Sequence, residues 1–310
     1  MRRVAVTCTH LIRDIDDYLD TFAQADLELF LPEIPGQELR GQELVSAMEG
    51  IVGVVSGDDQ FSSEVMAQLP ELKAISKWGI GLDAIDLDDA AERGIAVTNT
   101  PGMFGNEVAE LGLAYLFALV RDIFNIDGAV RSGGWPKQTS RSMNALTVHV
   151  IGLGDIGSTL GEKLLALGVS VTGSAPSPEA AAWGQRTGVT IGDAGTLATK
   201  ADAVMVCAPL NEATRGMVDA DFIAGMRQGA WLINIGRGPI VVGSAVADAI
   251  ESGHLAGAAL DVFEVEPLED ERLRNLPNLI LGAHNGSNTF EACHRTHVQA
   301  IKNLIDNLPA

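Results

Sequence analysis

The chain has 310 residues, 46% of them hydrophobic and 20% charged. That length suggests two domains or one large one, able to bury a full core without disulfides or a structural metal, and the composition excludes disorder as the main state. With 21 Lys and Arg against 41 Asp and Glu, the formal net charge is −20, which repels phosphate backbones and anionic membranes, so neither nucleic acid nor a membrane is an expected partner and a small anionic substrate needs its own local cationic site.

Along the first third, strand-like and helix-like segments alternate. Residues 3–7 read as a strand, 11–25 as a helix, and 51–56 as a β-branched run suited to a buried parallel strand. A helix follows over 62–69, capped by Ser62 or Ser63, then a strand over 72–77 and the turn Trp78-Gly79-Ile80-Gly81. A short helix over 87–93 closes at Gly94, before a strand over 95–98. A long helical pattern spans 106–131, and a strand over 145–151 runs into Gly152-Leu153-Gly154-Asp155-Ile156-Gly157. After a helix over 158–167, further strands are expected at 169–173, 203–208, 230–235, 256–260 and 279–281, and the terminal helix covers 290–307. Strands joined by short helices mean an α/β fold with parallel pairing. The longest strongly apolar run, 111–120, falls well short of a membrane span, and only Val4-Ala5-Val6 follows Arg2 and Arg3, too little for a signal peptide. Cys8, Cys207 and Cys293 form neither a CxxC pair nor a disulfide framework, so a reducing cytoplasm is the simplest expectation.

The glycine motif sits mid-chain. Its position after a strand and before a helix marks dinucleotide binding: glycines allow a tight turn and close approach of a pyrophosphate, and the helix N-terminus attracts negative charge. The nucleotide-binding half therefore starts near Thr100, and the N-terminal third is a separate α/β unit to which the terminal helix can return. The expected domains are 1–99 with 287–310, and 100–286, with a cleft between them and hinges at 98–102 and 286–289. The acidic residue that usually grips the ribose hydroxyls at the end of the next strand is missing: Ser174 and Ala175 stand there, with Glu179 further on. No Arg or Lys is near to hold a 2′-phosphate. That absence favours NAD, and NADP stays open.

Several further motifs occur in order. They are Lys77-Trp78-Gly79-Ile80-Gly81-Leu82-Asp83, Glu107-Val108-Ala109-Glu110, Ala201-Asp202, Pro209-Leu210 with Thr214, and Leu232-Ile233-Asn234-Ile235-Gly236-Arg237-Gly238. Leu260-Asp261-Val262-Phe263-Glu264-Val265-Glu266-Pro267 and His284-Asn285-Gly286 complete the series. With the glycine motif, they make the chain resemble the D-isomer-specific 2-hydroxyacid dehydrogenases over nearly its whole length. The resemblance implies a Rossmann-type NAD-binding domain inserted into a flavodoxin-like substrate domain. Lys77 and the run 284–289 look closest to phosphoglycerate-dehydrogenase-like members, and glycerate, glyoxylate and lactate types are also open.

Oxidising a 2-hydroxy acid removes a hydroxyl proton while a hydride leaves for nicotinamide. An imidazole suits the proton transfer because it ordinarily titrates near neutrality. His284 lies just past a strand end, where α/β sites form. The resemblance gives Glu266 the task of orienting it, with Glu264 as the nearby competitor. A substrate carboxylate suits the planar fork of Arg237. The resemblance places Gly79, Ile80 and Gly81, with Lys77 beside them, on the substrate carboxylate. It places Gly152, Gly154, Asp155, Ile156, Gly157, Ser174, Pro209, Thr214, Ile235, Gly236, Asp261 and Gly286 on the cofactor side.

No metal is expected, since His294 and His297 lack a third ligand. Cys207 reads as a packing residue. Leu111, Ala114, Tyr115 and Ala118 form a helical stripe that reads as a packing face or a homodimer surface. The expected function is an NAD(P)-dependent oxidoreductase of a D-2-hydroxy acid and 2-keto acid pair. The alternative is a dinucleotide-sensing or corepressor-like protein without turnover.

Overall fold

The structure, a computed structural model, describes residues 2–36 and 38–309. It divides into two compact units, Met1–Met103 with Thr289–Ala310, and Phe104–Asn288. Each is an α/β unit built on one parallel sheet.

The first unit carries β1 (Arg2–Val6), β2 (Leu27–Phe30), β3 (Gly53–Ser56), β4 (Ala74–Lys77) and β5 (Ala96–Thr98). Their order is β2-β1-β3-β4-β5, the flavodoxin-like arrangement. Of the three inner strands, β3 and β4 are buried at every residue, as expected for strands covered on both faces. The helix Phe290–Asn307 belongs to this unit, where the Ser76 hydroxyl donates to the Ala300 carbonyl at 2.7 Å.

The helix expected over 11–25 is three pieces: Thr9–Arg13, a 3-10 turn Ile15–Tyr18, and Leu19–Gln24. The break falls at Asp14, whose carboxylate is held by Arg13 and His297, and the tighter turn buries both Ile15 and Tyr18. Strand β2 and the helix Gly41–Ala47 were not expected. Only Leu27 of β2 is buried, so this edge strand shows no apolar run in the sequence.

The second unit carries β6 (Thr147–Ile151), β7 (Ser170–Ser174), β8 (Thr190–Ile191), β9 (Ala203–Val206), β10 (Ala230–Asn234), β11 (Leu255–Leu260) and β12 (Leu279–Leu281). The order is β12-β11-β10-β9-β6-β7-β8. The chain moves outward from β6 to β8, then returns to the other side of β6 at β9. That reversal is the point where doubly wound sheets bind dinucleotides. Asp202, buried just before β9, anchors the opposite end of the sheet. It accepts from the Thr147 amide at 2.9 Å and from Arg141 and Arg227 at 2.5 and 2.6 Å. Burial raises its carboxyl pKa, but Arg141, the Thr147 amide and Arg227 together hold it below the ordinary carboxylate range.

The long helix expected over 106–131 is instead two, Gly105–Val120 and Ile123–Arg131. Asp122 between them adopts a left-handed φ of 51°, and its carboxylate accepts from Asn125 at 2.6 Å. Strand β8 has two residues, too few to leave a pattern. The helix after the glycine motif begins earlier than expected, at Asp155.

Candidate active site

The dinucleotide end is built by the loops after β6 and β9. Gly152 has a φ of +89°, and a Cβ there would lie 2.5 Å from the Ala208 backbone. A Cβ on Gly157 would lie 1.8 Å from the Gly152 carbonyl oxygen. These two glycines let strand, turn and helix close on one another. Gly154 differs: a Cβ would meet nothing within 4 Å, and the residue caps the 12-residue helix Asp155–Ala166. Space above a helix N-terminus fits a pyrophosphate. Ile156 follows, half-buried in the helix's first turn. Asp155 is the first helical residue, but its carboxylate lies beside Gly105, at the start of the helix Gly105–Val120, where a negative charge is favoured.

Ser174 ends β7, but its hydroxyl is engaged inside the unit. It lies 2.8 Å from the Gly192 carbonyl and 3.0 Å from His149 Nε2. The carbonyl only accepts, so the hydroxyl donates there and accepts a hydrogen bond from His149 Nε2–H. Thr172 completes the chain at His149 Nδ1, 2.9 Å away. Burial pushes the His149 imidazole down to about 4. Ala175 is half-buried and brings no charge to this edge. Pro209 is exposed, and its carbonyl accepts from the Thr214 hydroxyl at 2.7 Å, which shapes the loop after β9. Burial also pushes the Cys207 thiol up to about 12, so it packs as an uncharged group.

His284 and Glu266 are brought together by the loops after β11 and β12. His284 Nδ1 lies 2.8 Å from Glu266 Oε2. A carboxylate only accepts, so Nδ1–H donates, and Nε2 lies on the far side of the ring. The other Glu266 oxygen accepts from the Phe263 amide at 2.9 Å, which holds the carboxylate in place. The competitor Glu264 accepts instead from the Gly243 amide at 3.2 Å. His284 has a left-handed φ of 51°, a conformation costly for a non-glycine residue. Asp261 stabilises that turn: its carbonyl accepts from the His284 amide at 2.7 Å, and its carboxylate accepts from the Gly286 amide at 3.0 Å.

Two residues here escaped sequence reasoning. The Tyr115 hydroxyl donates to Asp261 at 2.9 Å. Burial, and then the Asp261 charge, push that hydroxyl well above its ordinary range and keep it a donor. Asn234, fully buried at the end of β10, accepts from the Gly236 amide at 3.1 Å and donates to the Arg237 carbonyl at 3.0 Å. It fixes the turn that presents Arg237, next to the buried Ile235. A polar residue closing an otherwise apolar strand was the available signal. Tyr115 and Ala118 are buried within this unit, so that part of the helical stripe is core.

In the first unit, the turn after β4 differs from the expectation in detail. Gly79, at a φ of +135°, donates its amide to the Thr100 hydroxyl at 3.0 Å. The amides of Ile80 and Gly81 carry no hydrogen bond among the described residues. Lys77 is buried, and its ammonium donates to the Gly57 carbonyl and to Asp58, the latter at 2.7 Å.

Comparisons with known proteins agree with this geometry. The profile described as D-isomer specific 2-hydroxyacid dehydrogenase, NAD binding domain, matches residues 113–286. A glyoxylate reductase of Thermococcus litoralis is 34% identical over 274 residues, covering 85% of this chain and 81% of that protein. The chain belongs to the D-isomer specific 2-hydroxyacid dehydrogenase family. A D-3-phosphoglycerate dehydrogenase of Mycobacterium tuberculosis is also 34% identical, over 83% of this chain but 49% of that longer protein. Among solved structures, an NADPH-dependent glyoxylate/hydroxypyruvate reductase of Sinorhizobium meliloti, in complex with NADP and malonate, superposes with a TM-score of 0.82. It is 26% identical, and the match covers 98% of this chain and 92% of that one. As a family member, the chain is an oxidoreductase of the CH–OH group of 2-hydroxy acids, using NAD or NADP. The sensing alternative is not favoured. The glycine loop, with open space over Gly154, fits the dinucleotide.

Proposed function

We propose that the protein reduces a small 2-keto acid of the glyoxylate or hydroxypyruvate type to the D-2-hydroxy acid, with His284 as the acid and base. The observation that carries this reading is the His284–Glu266 pair at 2.8 Å, with the second ring nitrogen directed away from the carboxylate. A bound reduced nicotinamide supplies the hydride to the carbonyl carbon. His284 gives its Nε2 proton to the carbonyl oxygen, and Glu266 stabilises the imidazolium before transfer. In the reverse direction, neutral His284 takes the hydroxyl proton. Arg237 is the second unit's group for the substrate carboxylate, and the amides of Ile80 and Gly81 are the first unit's carboxylate-receiving groups. Gly152, Gly154 and Gly157 receive the pyrophosphate. Pro209, Thr214, Ile235, Gly236, Asp261 and Gly286 form the nicotinamide side.

The choice of a small acid rests on Lys77. Its charge is compensated by Asp58 and its amine is drawn to the Gly57 carbonyl, so it adds no net charge for a phosphate. This favours glyoxylate and hydroxypyruvate over phosphohydroxypyruvate, in keeping with the glyoxylate reductase matched along most of its length. With no base near Ala175 to hold a 2′-phosphate, NADH is the expected reductant, and NADPH is tested beside it. The test is oxidation of each by the full chain with glyoxylate, hydroxypyruvate, phosphohydroxypyruvate and pyruvate. Turnover with the first two supports the reading; turnover confined to phosphohydroxypyruvate overturns the substrate choice.

We also propose a cytoplasmic homodimer. Among the described residues no helix is long and apolar enough to cross a membrane. The helix Ile123–Arg131 has no buried residue, and Ile123, Phe124, Val130 and nearby Trp135 are exposed. Apolar exposure concentrated there suits a second copy. Light scattering on wild type and Phe124→Asp tests this: a dimer that dissociates supports it, and a wild-type monomer refutes it.

A further inference from the structure

The first unit holds a second carboxylate–imidazole pair that the reaction does not use. Trp78 immediately precedes Gly79, and its indole is buried. The His10 ring stacks on it, with centroids 4.9 Å apart and planes 24° from parallel. The indole Nε1–H donates to His297 Nδ1 at 2.9 Å, and His297 Nε2 lies 3.2 Å from Asp14 Oδ2. An indole nitrogen can only donate and a carboxylate can only accept. Both bonds therefore form together only when His297 is neutral with its proton on Nε2.

The groups facing His297 come from every element around it. Arg13 binds the same Asp14 carboxylate at 3.0 and 3.1 Å. The Tyr18 ring stands edge-on at 5.5 Å, with its hydroxyl 2.9 Å from His294 Nδ1. Arg13 acts on the ring as a nearby positive charge, as does His10 when protonated, and Cys293 lies against Arg13. Burial lowers the His297 pKa, against the pull of Asp14, and the net direction is down. The neutral form that the geometry demands is thus the form the surroundings favour.

We propose that Asp14, His297 and Trp78 form a positioning relay that sets the turn at 79–81 in its carboxylate-receiving conformation. This rests on the reading that the turn receives the substrate carboxylate. The relay reaches the turn through the chain itself: Trp78 is held by its side chain, and Gly79 is held next to it by Thr100. Protonating His297 places a second proton on Nδ1, opposite the indole N–H, and that bond is lost. Keto acid binding then weakens as pH falls. The relay acts on substrate binding, so it moves KM for the keto acid and leaves the cofactor, bound by the other unit, unaffected.

The test uses the full-length protein with saturating NADH and its preferred keto acid. Trp78→Phe keeps an aromatic ring and removes the N–H; it is expected to raise the keto acid KM about threefold to tenfold, with the NADH KM unchanged. His297→Ala has a similar effect. His297→Gln restores the neutral pattern, since its amide can accept from the indole and donate to Asp14, and it returns KM to near the wild-type value. The ratio of the wild-type KM to that of His297→Gln, in which the titration of His284 cancels, climbs as pH falls. Nitrogen-15 NMR of the histidine rings should show, at pH 7, one signal fewer from rings protonated only at Nε2 in His297→Gln than in wild type. Gly79→Ala is the control on the underlying reading, because an L side chain strains that turn. If Gly79→Ala raises KM while Trp78→Phe and His297→Ala do not, the relay is refuted alone. If Gly79→Ala also leaves KM unchanged, the reading of the turn falls and the relay with it. An imidazolium at His297 at pH 7 overturns the relay directly.

Discussion

Among the described residues, His284 and His297 each sit on a carboxylate, and opposite uses are proposed for them. The His284 side chain is 31% exposed and its partner Glu266 25%, whereas His297 is 1% exposed against an Asp14 at 34%. The first pair sets one ring nitrogen on the carboxylate, and the other is the proposed site of proton exchange. The second spends both, one on Asp14 and one on the Trp78 indole. The backbone differs as well: His284 is held in a left-handed conformation by Asp261, while His297 sits in a regular helix. A carboxylate beside an imidazole is thus not by itself a catalytic signature. The proposed difference lies in the second nitrogen, which is offered to substrate at His284 and bound to the Trp78 indole at His297.

The largest break in the comparison should come from alanine at the two positions. His284→Ala is expected to lower kcat on the order of 10³-fold, with cofactor affinity retained, while His297→Ala moves KM and leaves kcat near wild type. Equal losses of kcat would mean that the two pairs are not functionally distinct. A smaller effect is expected from Glu266→Gln, which keeps a hydrogen-bond acceptor for Nδ1–H and removes the charge; kcat should fall about tenfold to a hundredfold, and an unchanged kcat would remove Glu266 from the mechanism.

His149 sharpens the comparison from the other side, since hydroxyls of Thr172 and Ser174 stand where carboxylates would. With no counter-charge in contact, burial depresses its pKa from 6.5 to about 4. Between those values the unfolded chain binds a proton that the folded chain does not. Stability therefore falls as pH is lowered through this window and levels off below it, by about 3 kcal/mol in all. Denaturant unfolding of wild type and His149→Asn at pH 7 and pH 4.5 should show the smaller pH-dependent loss in the variant. Equal losses would mean that His149 is not the group responsible.

Much of the second unit was legible because its chemistry is local. A strand, three glycines and a helix are contiguous at 152–157, and Arg237, Glu266 and His284 each follow a strand end. What stayed hidden depended on contacts distant in sequence. Tyr115 reaches Asp261 across 146 positions and Trp78 reaches His297 across 219, and neither spacing leaves a periodic trace. The destination of Lys77 was missed for the same reason, since its partner Asp58 lies on a neighbouring strand end. The helix at 11–25 failed because Asp14, polar and unremarked in the pattern, is recruited as an acceptor and ends the first turn.

The most direct test of the central claim is the pH dependence of kcat/KM measured in both directions on the wild-type protein. If His284 is the acid in reduction and the base in oxidation, keto acid reduction fails as pH rises and hydroxy acid oxidation fails as pH falls, with both limbs absent from His284→Ala. A reduction profile without the high-pH loss, or limbs that persist in that variant, would contradict the assignment.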